Sequence, residues 1–271
     1  MQKLLFTGKT ICCSSALMAE NITRPSPLKY LMATPAPFSA DVLPFEAALP
    51  APEGRLLFFA ASLPAHPLPV FCMDFAADLI LENARAHLRP LALADFEALQ
   101  APAFDPEIWR YTLAPAHTPA DLQAYLHAAL AGRAQGLRYP FAIIDRDTGA
   151  LAGSTSYYHV SADEQRLSIG YTWLGAAFQR SGLNRACKHL LLSHAFGPLG
   201  CERVELETDG RNAKSRAAMR RMGATEEGTL RSHRHTQNGV RRDTVIFSIL
   251  RAEWPGLRQT VFQAFDNQAR G

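Results

Sequence analysis

The residues best placed to do chemistry lie in one stretch, "FQRSGLNRACKHLLLSHAF" (Phe178 to Phe196), where two arginines surround a lone glycine and an apolar stripe follows. Leu183, Ala186, Cys187, Leu190, Leu191 and Ala195 recur at three- and four-residue intervals, the spacing of one buried helical face. Gly182 therefore falls at the first turn. The first backbone N–H groups of a helix have no partner inside it and carry the positive end of its dipole, so such a junction favours an anion. A glycine lets the anion come close to the backbone. Arg180 and Arg185 would add charge-assisted hydrogen bonds to phosphate oxygens. The same glycine serves equally to ease a tight turn beside solvated arginines.

The elements around this stretch read clearly. "RLSIGYTWL" (Arg166 to Leu174) is rich in β-branched and aromatic residues and predicts a strand entering the junction. Upstream, "ARAHLRPL" alternates as a strand and "ADFEAL" begins a short helix. Thr118-Pro119 caps a helix carrying Leu122, Tyr125, Leu126, Ala129 and Leu130 and stopping near Gly132 or Gly136. "YPFAIID" and "GALAGSTSYYHV" are two further strands separated by Asp147-Thr148-Gly149. Downstream, "CERVELET" predicts a strand, and Asn212 to Met222 a helix closed by Gly223. The last strands flank Asn238-Gly239, a strong hairpin signal. Mixed helices and hairpins predict an α+β fold with a mostly antiparallel sheet.

With 271 residues, 48% hydrophobic and 20% charged, the chain can bury a sizeable core. A net charge of +3 is mildly basic, and no basic run is interleaved with aromatics, so nucleic acid is not called for. Five cysteines (Cys12, Cys13, Cys72, Cys187, Cys201) show neither zinc-ligand spacing nor a disulfide framework, which fits a reducing cytoplasm and no metal. Residues 1–72 differ in kind: they are Pro- and Ala-rich without helical or strand period, and predict an irregular extension ahead of a compact domain over 73–271. Gly8-Lys9 interrupts the apolar core that a signal peptide would need. "GKT" at Gly8 to Thr10 lacks the upstream glycine of a phosphate-binding loop, and "GRLLFFAASL" is too short to cross a membrane. A start at Met73, with translated leader upstream, is the simple expectation.

From about Ile80 to about Trp254 the sequence resembles the Gcn5-related N-acetyltransferase (GNAT) superfamily, in its ribosomal-protein alanine acetyltransferase-like (RimJ/RimL-type) branch. The resemblance rests on Gln179-Arg180-Ser181-Gly182-Leu183-Asn184, similar to the family's acyl-CoA loop, and on Asn212-x-x-Ser215 with Gly223 eleven residues after Asn212. Asn184 stands where the family has a small residue. The resemblance implies the GNAT fold, with acyl-CoA bound where the central strands splay. It implies acetyl-CoA as co-substrate, its pyrophosphate cradled by Gln179, Arg180, Ser181, Gly182, Leu183, Asn184 and Arg185, with Lys188 as a further cation. It also implies a backbone N–H near Trp173 or Leu174 to hold the developing oxyanion, and contacts from Asn212 and Ser215 to the pantetheine arm.

The acceptor amine is mostly protonated at neutral pH, so a base is needed. Glu205 is the expected base, with His159, Tyr157, Tyr158 and Asp209 as other candidates. The tyrosine that many members place seven residues after the asparagine is Met219 here, leaving Ser215 as the nearby hydroxyl. Asn212 doubles as a helix cap. The arginines from Arg211 to Arg242 read mostly as solvated faces, though some could attract an acidic acceptor or the 3′-phosphate. Trp109, Tyr111, Tyr157, Tyr158, Tyr171 and Trp173 divide between core packing and an acceptor pocket. The expected partner is a small-molecule amine or a peptide N-terminus, with a homodimer admitted and no membrane. Three readings follow: a small-amine N-acetyltransferase, a protein N-terminal acetyltransferase, and a non-catalytic acyl-CoA-binding module.

Overall fold

The computed structural model describes residues 71, 73–113, 115–236 and 239–266, which fall in one compact unit, Ser62–Gly271. The expected irregular extension lies outside the described residues apart from Phe71, which is buried in the main core. Eight strands form one sheet: β1 (Leu81–Glu82), β2 (Ala86–Pro90), β3 (Arg138–Asp145), β4 (Leu151–Ser161), β5 (Arg166–Leu174), β6 (Arg203–Asp209), β7 (Thr225–His235) and β8 (Arg241–Leu250). Helices α1 (Phe96–Ala103), α2 (Pro106–Trp109) and α3 (Pro119–Ala134) precede β3. α4 (Leu183–Phe196) joins β5 to β6, α5 (Ala213–Arg221) follows β6, and α6 (Trp254–Thr260) and α7 (Gln263–Asp266) follow β8. None of the described helices is long and apolar enough to cross a membrane.

The strand order is β1-β2-β3-β4-β5-β6-β8-β7, and every neighbouring pair is antiparallel except β5 and β6. A parallel pair requires a crossover, and α4 supplies it. The predicted α+β fold with a mostly antiparallel sheet is the one observed. Local chemistry sets the helix starts. Thr118 Oγ1 accepts from Asp121 N (3.2 Å) while the Asp121 carboxylate accepts from Thr118 N (3.0 Å), and Pro119 occupies the first helical position. Asn212 Oδ1 accepts from Ser215 N (3.0 Å) and so caps α5.

The sheet separates two cores. On one face Tyr157, Leu167, Ile169, Val204, Leu206 and Phe247 pack with α4; on the other, Leu99, Trp109, Leu122, Tyr125, Leu126 and Trp173 form a smaller cluster under α1 and α3. The apolar stripe read on α4 is buried as expected. Lys188, His189, Leu192 and Phe196 are buried as well, so α4 is covered on more than one side. The cause is the C-terminal segment: the rings of Trp254 and Phe262 lie 6.1 and 5.8 Å from that of His189. Cys187 and Cys201 are free, and burial pushes both thiols up to about 12, leaving them unreactive.

Two irregularities shape the centre. Pairing between β5 and β6 covers only Arg166–Ser168 against Arg203–Glu205, so from Ile169 onward β5 has no partner on that side. On its other side the β4–β5 register shifts between Ser154 and Ser156, and Tyr171 has φ 50°. The shift turns Thr172 toward the α4 face and Trp173 into the smaller core. Next to it, Gly153 faces Leu174, where a Cβ would overlap the Trp173 carbonyl oxygen and lie 3.0 Å from Leu174 Cα. Gly153→Ala is expected to destabilise the chain by more than about 2 kcal/mol, lowering Tm by about 5 °C. Gly228→Ala, with nothing within 4 Å of its added carbon, should stay within about 0.5 kcal/mol. Thermal unfolding of the two variants measures the contrast, and equal effects would contradict the close approach at Gly153.

Candidate active site

The junction between β5 and α4 has the local geometry its glycine requires. A 3-10 turn at Ala176–Phe178 follows β5, Arg180 has φ 61°, and Gly182 takes the left-handed conformation (φ 86°, ψ −15°) as the residue capping α4. That conformation is open to glycine at little cost, and a Cβ at Gly182 would meet nothing within 4 Å, so the space outside the loop is free. Ser181 Oγ donates to Phe178 O (2.7 Å) and accepts from Leu183 N (3.3 Å), while Gln179 Nε2 donates to Leu174 O (3.1 Å). Gln179 thus ties the loop to the end of β5. The first main-chain bond of α4 runs from Ala186 N to Gly182 O, which leaves the N–H groups of Asn184 and Arg185 ahead of the ladder. Asn184 Oδ1 is buried without a hydrogen-bond partner. Arg180, Ser181 and Arg185 are exposed. Such a loop suits a pyrophosphate.

Between the loop and the sheet lies the cleft left by the parting of β5 from β6. Trp173 and Leu174 are in its unpartnered stretch of β5. The Trp173 side chain belongs to the smaller core, where Nε1 donates to Tyr125 Oη (3.2 Å). Lys188 differs from its expected place near the anion loop. Its Nζ donates to Thr172 Oγ1 (2.8 Å), which in turn is 2.7 Å from Thr155 Oγ1, and the side chain is buried beneath the bulge of β5. Burial alone lowers its ammonium to about 8. No carboxylate among the described residues pairs with it.

The expected base, Glu205, sits at the last residue where β5 and β6 still pair, opposite Ser168. Arg203 Nε donates to it at 2.8 Å and Arg166 Nη1 lies 3.7 Å away. Glu207, two residues on and hence on the same face of β6, is the first carboxylate in the opened part. It is half-buried, 3.2 Å from Arg234 and 4.0 Å from Arg242. Tyr158 reaches toward it across Gly170, where a Cβ would come 2.7 Å from the Tyr158 ring. Burial first, and the Glu207 charge second, hold the Tyr158 hydroxyl far above its usual range and therefore protonated. Sequence reading passed over Glu207 because both glutamates share one strand face.

The other candidates resolve as follows. Asp209 is buried and held by the Arg211 backbone and guanidinium at 2.7–2.9 Å; these bonds outweigh burial and lower its pKa. His159 is exposed with φ 49°. Tyr157 is fully buried and donates to Leu191 O (2.6 Å). Asn212 and Ser215 are half-buried at the start of α5, and Met219 packs into the main core.

The sequence matches the acetyltransferase (GNAT) domain family over residues 85–225, more than half of the chain. The Bacillus subtilis protein YdaF, a candidate ribosomal N-acetyltransferase by its name, is 34% identical over 108 residues, covering 40% of this chain and 58% of YdaF. The chain thus matches less than two thirds of YdaF's length. A candidate acetyltransferase of T. thermophilus superposes with a TM-score of 0.64 at 34% identity, covering 70% of this chain and 98% of that one. Mycobacterium smegmatis RimJ, solved in complex with CoA-disulfide, shares the fold with a TM-score of 0.57 at 22% identity, covering 69% of this chain and 94% of its own.

The buried lysine makes a pH-dependent claim. Between pH 8 and 10.5 the unfolded chain binds a proton at Lys188 that the folded chain has released, so stability rises with pH across that window. Below pH 8 the cost of burial is fully present, and a displacement from 10.5 to about 8 corresponds to about 3 kcal/mol. Lys188→Met should therefore be more stable than the parent at pH 7, with the advantage shrinking toward pH 10. Urea unfolding at the two pH values measures it; a Met variant with no advantage at pH 7 would rule out a costly buried ammonium.

Proposed function

The chain belongs to the GNAT acetyltransferase family, and from that premise we propose that it moves the acetyl group of acetyl-CoA to a primary amine of a small, amino-acid-like acceptor, in the cytoplasm. The observation that carries the reading is the coincidence of three features: an open glycine-capped loop at the start of α4, the gap between β5 and β6, and a carboxylate on the wall of that gap. In this reading the pyrophosphate lies on the N–H groups of α4 with Gln179, Arg180, Ser181, Leu183, Asn184 and Arg185 around it. Asn212 and Ser215 face the pantetheine arm. The thioester carbonyl points at a backbone N–H of β5 near Trp173 or Leu174, where a fixed dipole stabilises the oxyanion by a few kcal/mol.

The acceptor binds as an ammonium, drawn by Glu207, and loses a proton to that carboxylate directly or through one water. The free amine attacks the carbonyl carbon, a C–N bond forms, and the C–S bond breaks to release the CoA thiolate. A thiol has a pKa near 8.5, so the thiolate can depart with little assistance; Ser215 is the hydroxyl available to protonate it. Glu205, closed in by Arg203 and Arg166, supports the strand pair at the base of the cleft. A second reading, acetylation of a protein N-terminus, is favoured by the name of YdaF. Both readings use the same chemistry and differ in the acceptor.

Acetyl-CoA at a hundred times its Kd should stabilise the full chain by about 2.7 kcal/mol. Gly182→Glu should abolish the effect by placing charge and bulk in the loop. Glu207→Gln should keep the stabilisation while lowering kcat/KM for thiol release about 10²- to 10⁴-fold. Stabilisation without thiol release from any amine or from peptides beginning in Ala or Ser would leave an acyl-CoA-binding module; no stabilisation would reject the reading altogether.

A further inference from the structure

Arg138 is the exception among the buried and half-buried arginines of the described residues. Among the described residues, every other buried or half-buried arginine has a carboxylate within 4.0 Å: Arg85, Arg89, Arg133, Arg166, Arg203, Arg216, Arg234, Arg242 and Arg251 all do. Arg138, only 8% exposed, has none. Its Nε donates to Ser156 Oγ (2.8 Å) and its Nη2 to Tyr125 Oη (2.7 Å), while Nη1 has no acceptor among the described residues. Two aromatic faces cover the cation, Tyr125 at 5.0 Å and Tyr171 at 3.8 Å from ring centroid to Cζ. Removing a guanidinium from water without a counter-charge is costly. Two neutral hydroxyls and two rings return only part of that.

The position of this guanidinium relates it to the cleft. Arg138 begins β3 on the sheet face opposite α4, and the ring that shields it is carried by the bulge of β5. Tyr171 holds φ 50°, a left-handed backbone that a bulky residue takes only under strain. Its ring is 45% exposed, so this strained residue stands at the surface over the cation instead of filling the core. From there the surface continues to Tyr158, edge-on to Tyr171 with centroids 5.2 Å apart, and Tyr158 in turn feels the charge of Glu207. A negative group thus stands at one end of a run of aromatic rings and an unpaired positive group at the other.

We propose that Arg138 is the specificity residue of the acceptor site, taking the carboxylate of an amino-acid-like acceptor whose ammonium end faces Glu207. The inference rests on the amine-acetylation reading and adds the substrate class. The guanidinium fork is held by Ser156 and Tyr125 with Nη1 left over, which fixes its plane before the carboxylate arrives and limits the ordering cost of binding. Tyr171 lies along the apolar part of the acceptor. A neutral carboxamide would leave the guanidinium without its counter-charge and bind less well.

The test uses the full chain, acetyl-CoA, and the twenty common amino acids, each paired with its carboxamide, followed by thiol release. The wild type should prefer at least one acid over its carboxamide tenfold or more in kcat/KM, with the difference in KM. In Arg138→Met that preference should fall to within twofold, and Arg138→Lys should keep an intermediate value. Dividing acid by carboxamide within each variant cancels the different basicity of the two amines. Stabilisation by acetyl-CoA reports separately on fold and donor binding in each variant. If acetyl-CoA stabilises the wild type and thiol is released but no acid outperforms its carboxamide, or if Arg138→Met and Arg138→Lys both keep the full preference, the inference is overturned and the acetyl-transfer reading stands; if acetyl-CoA binds and no thiol is released from any acid or carboxamide, the inference is overturned as well. If acetyl-CoA does not bind the wild type, both fall together.

Discussion

The parting of β5 from β6 is the constraint on which the rest of this structure depends. Two adjacent parallel strands give up hydrogen bonds beyond Ser168 and Glu205, although neighbouring strands otherwise pair along much of their length. Backbone polar groups left unpaired in a sheet interior are costly, so such a gap persists only when its walls are held elsewhere. Here β6 is paired along its whole length with β8, from Arg203 to Asp209, and β5 is held by β4 on its far side. The loop that follows β5 is anchored by Gln179 to Leu174 O, and α4 fills the space behind. The gap is therefore a built opening with a rigid frame. Its depth is set by the register at Ser168, its floor by the bulge at Tyr171, and its mouth by Gly182.

Much of this was legible in the sequence, because the elements agree with their local chemistry. The stripe on α4, the cap at Thr118, the asparagine before α5 and the hairpin strands each follow from short-range rules, and each is where those rules put it. What stayed hidden depends on where pairing stops. Glu205 and Glu207 differ by two residues on one strand face, and period-2 reasoning cannot separate them. Only the end of the β5–β6 ladder does, leaving Glu205 among Arg203 and Arg166 and Glu207 in the open part. The burial of Lys188 and His189 was equally unreadable: a helical stripe defines one buried face, whereas Lys188 is covered by the bulge of β5 at Thr172 and His189 by Trp254 and Phe262, more than sixty residues away in sequence. Arg138 stands one residue before the strand read from Tyr139, and nothing in the sequence singles it out; its isolation appears only once Ser156, Tyr125 and Tyr171 are brought around it.

Among the described residues, Lys188 and Arg138 are buried cations without a carboxylate partner; they flank the same bulge on opposite faces of the sheet, and the physics treats them differently. An ammonium can escape desolvation by giving up its proton, and Lys188 moves in that direction, down to about 8, while keeping one hydrogen bond to Thr172. A guanidinium cannot, because its delocalised charge is too stable to give up a proton. Arg138 must stay charged, so the protein surrounds it with π-faces and hydroxyl oxygens instead. The first arrangement is enclosed: Lys188 is buried beneath the bulge of β5 with its one hydrogen bond to Thr172, and it can shed its charge as pH rises past about 8. The second keeps a full positive charge with one nitrogen unspent beside an exposed, strained tyrosine. Of the two, only Arg138 holds its charge at every pH and lies beside a residue open to solvent, where a ligand could meet that charge, which is why the acceptor's anionic group belongs on that face and not beneath α4.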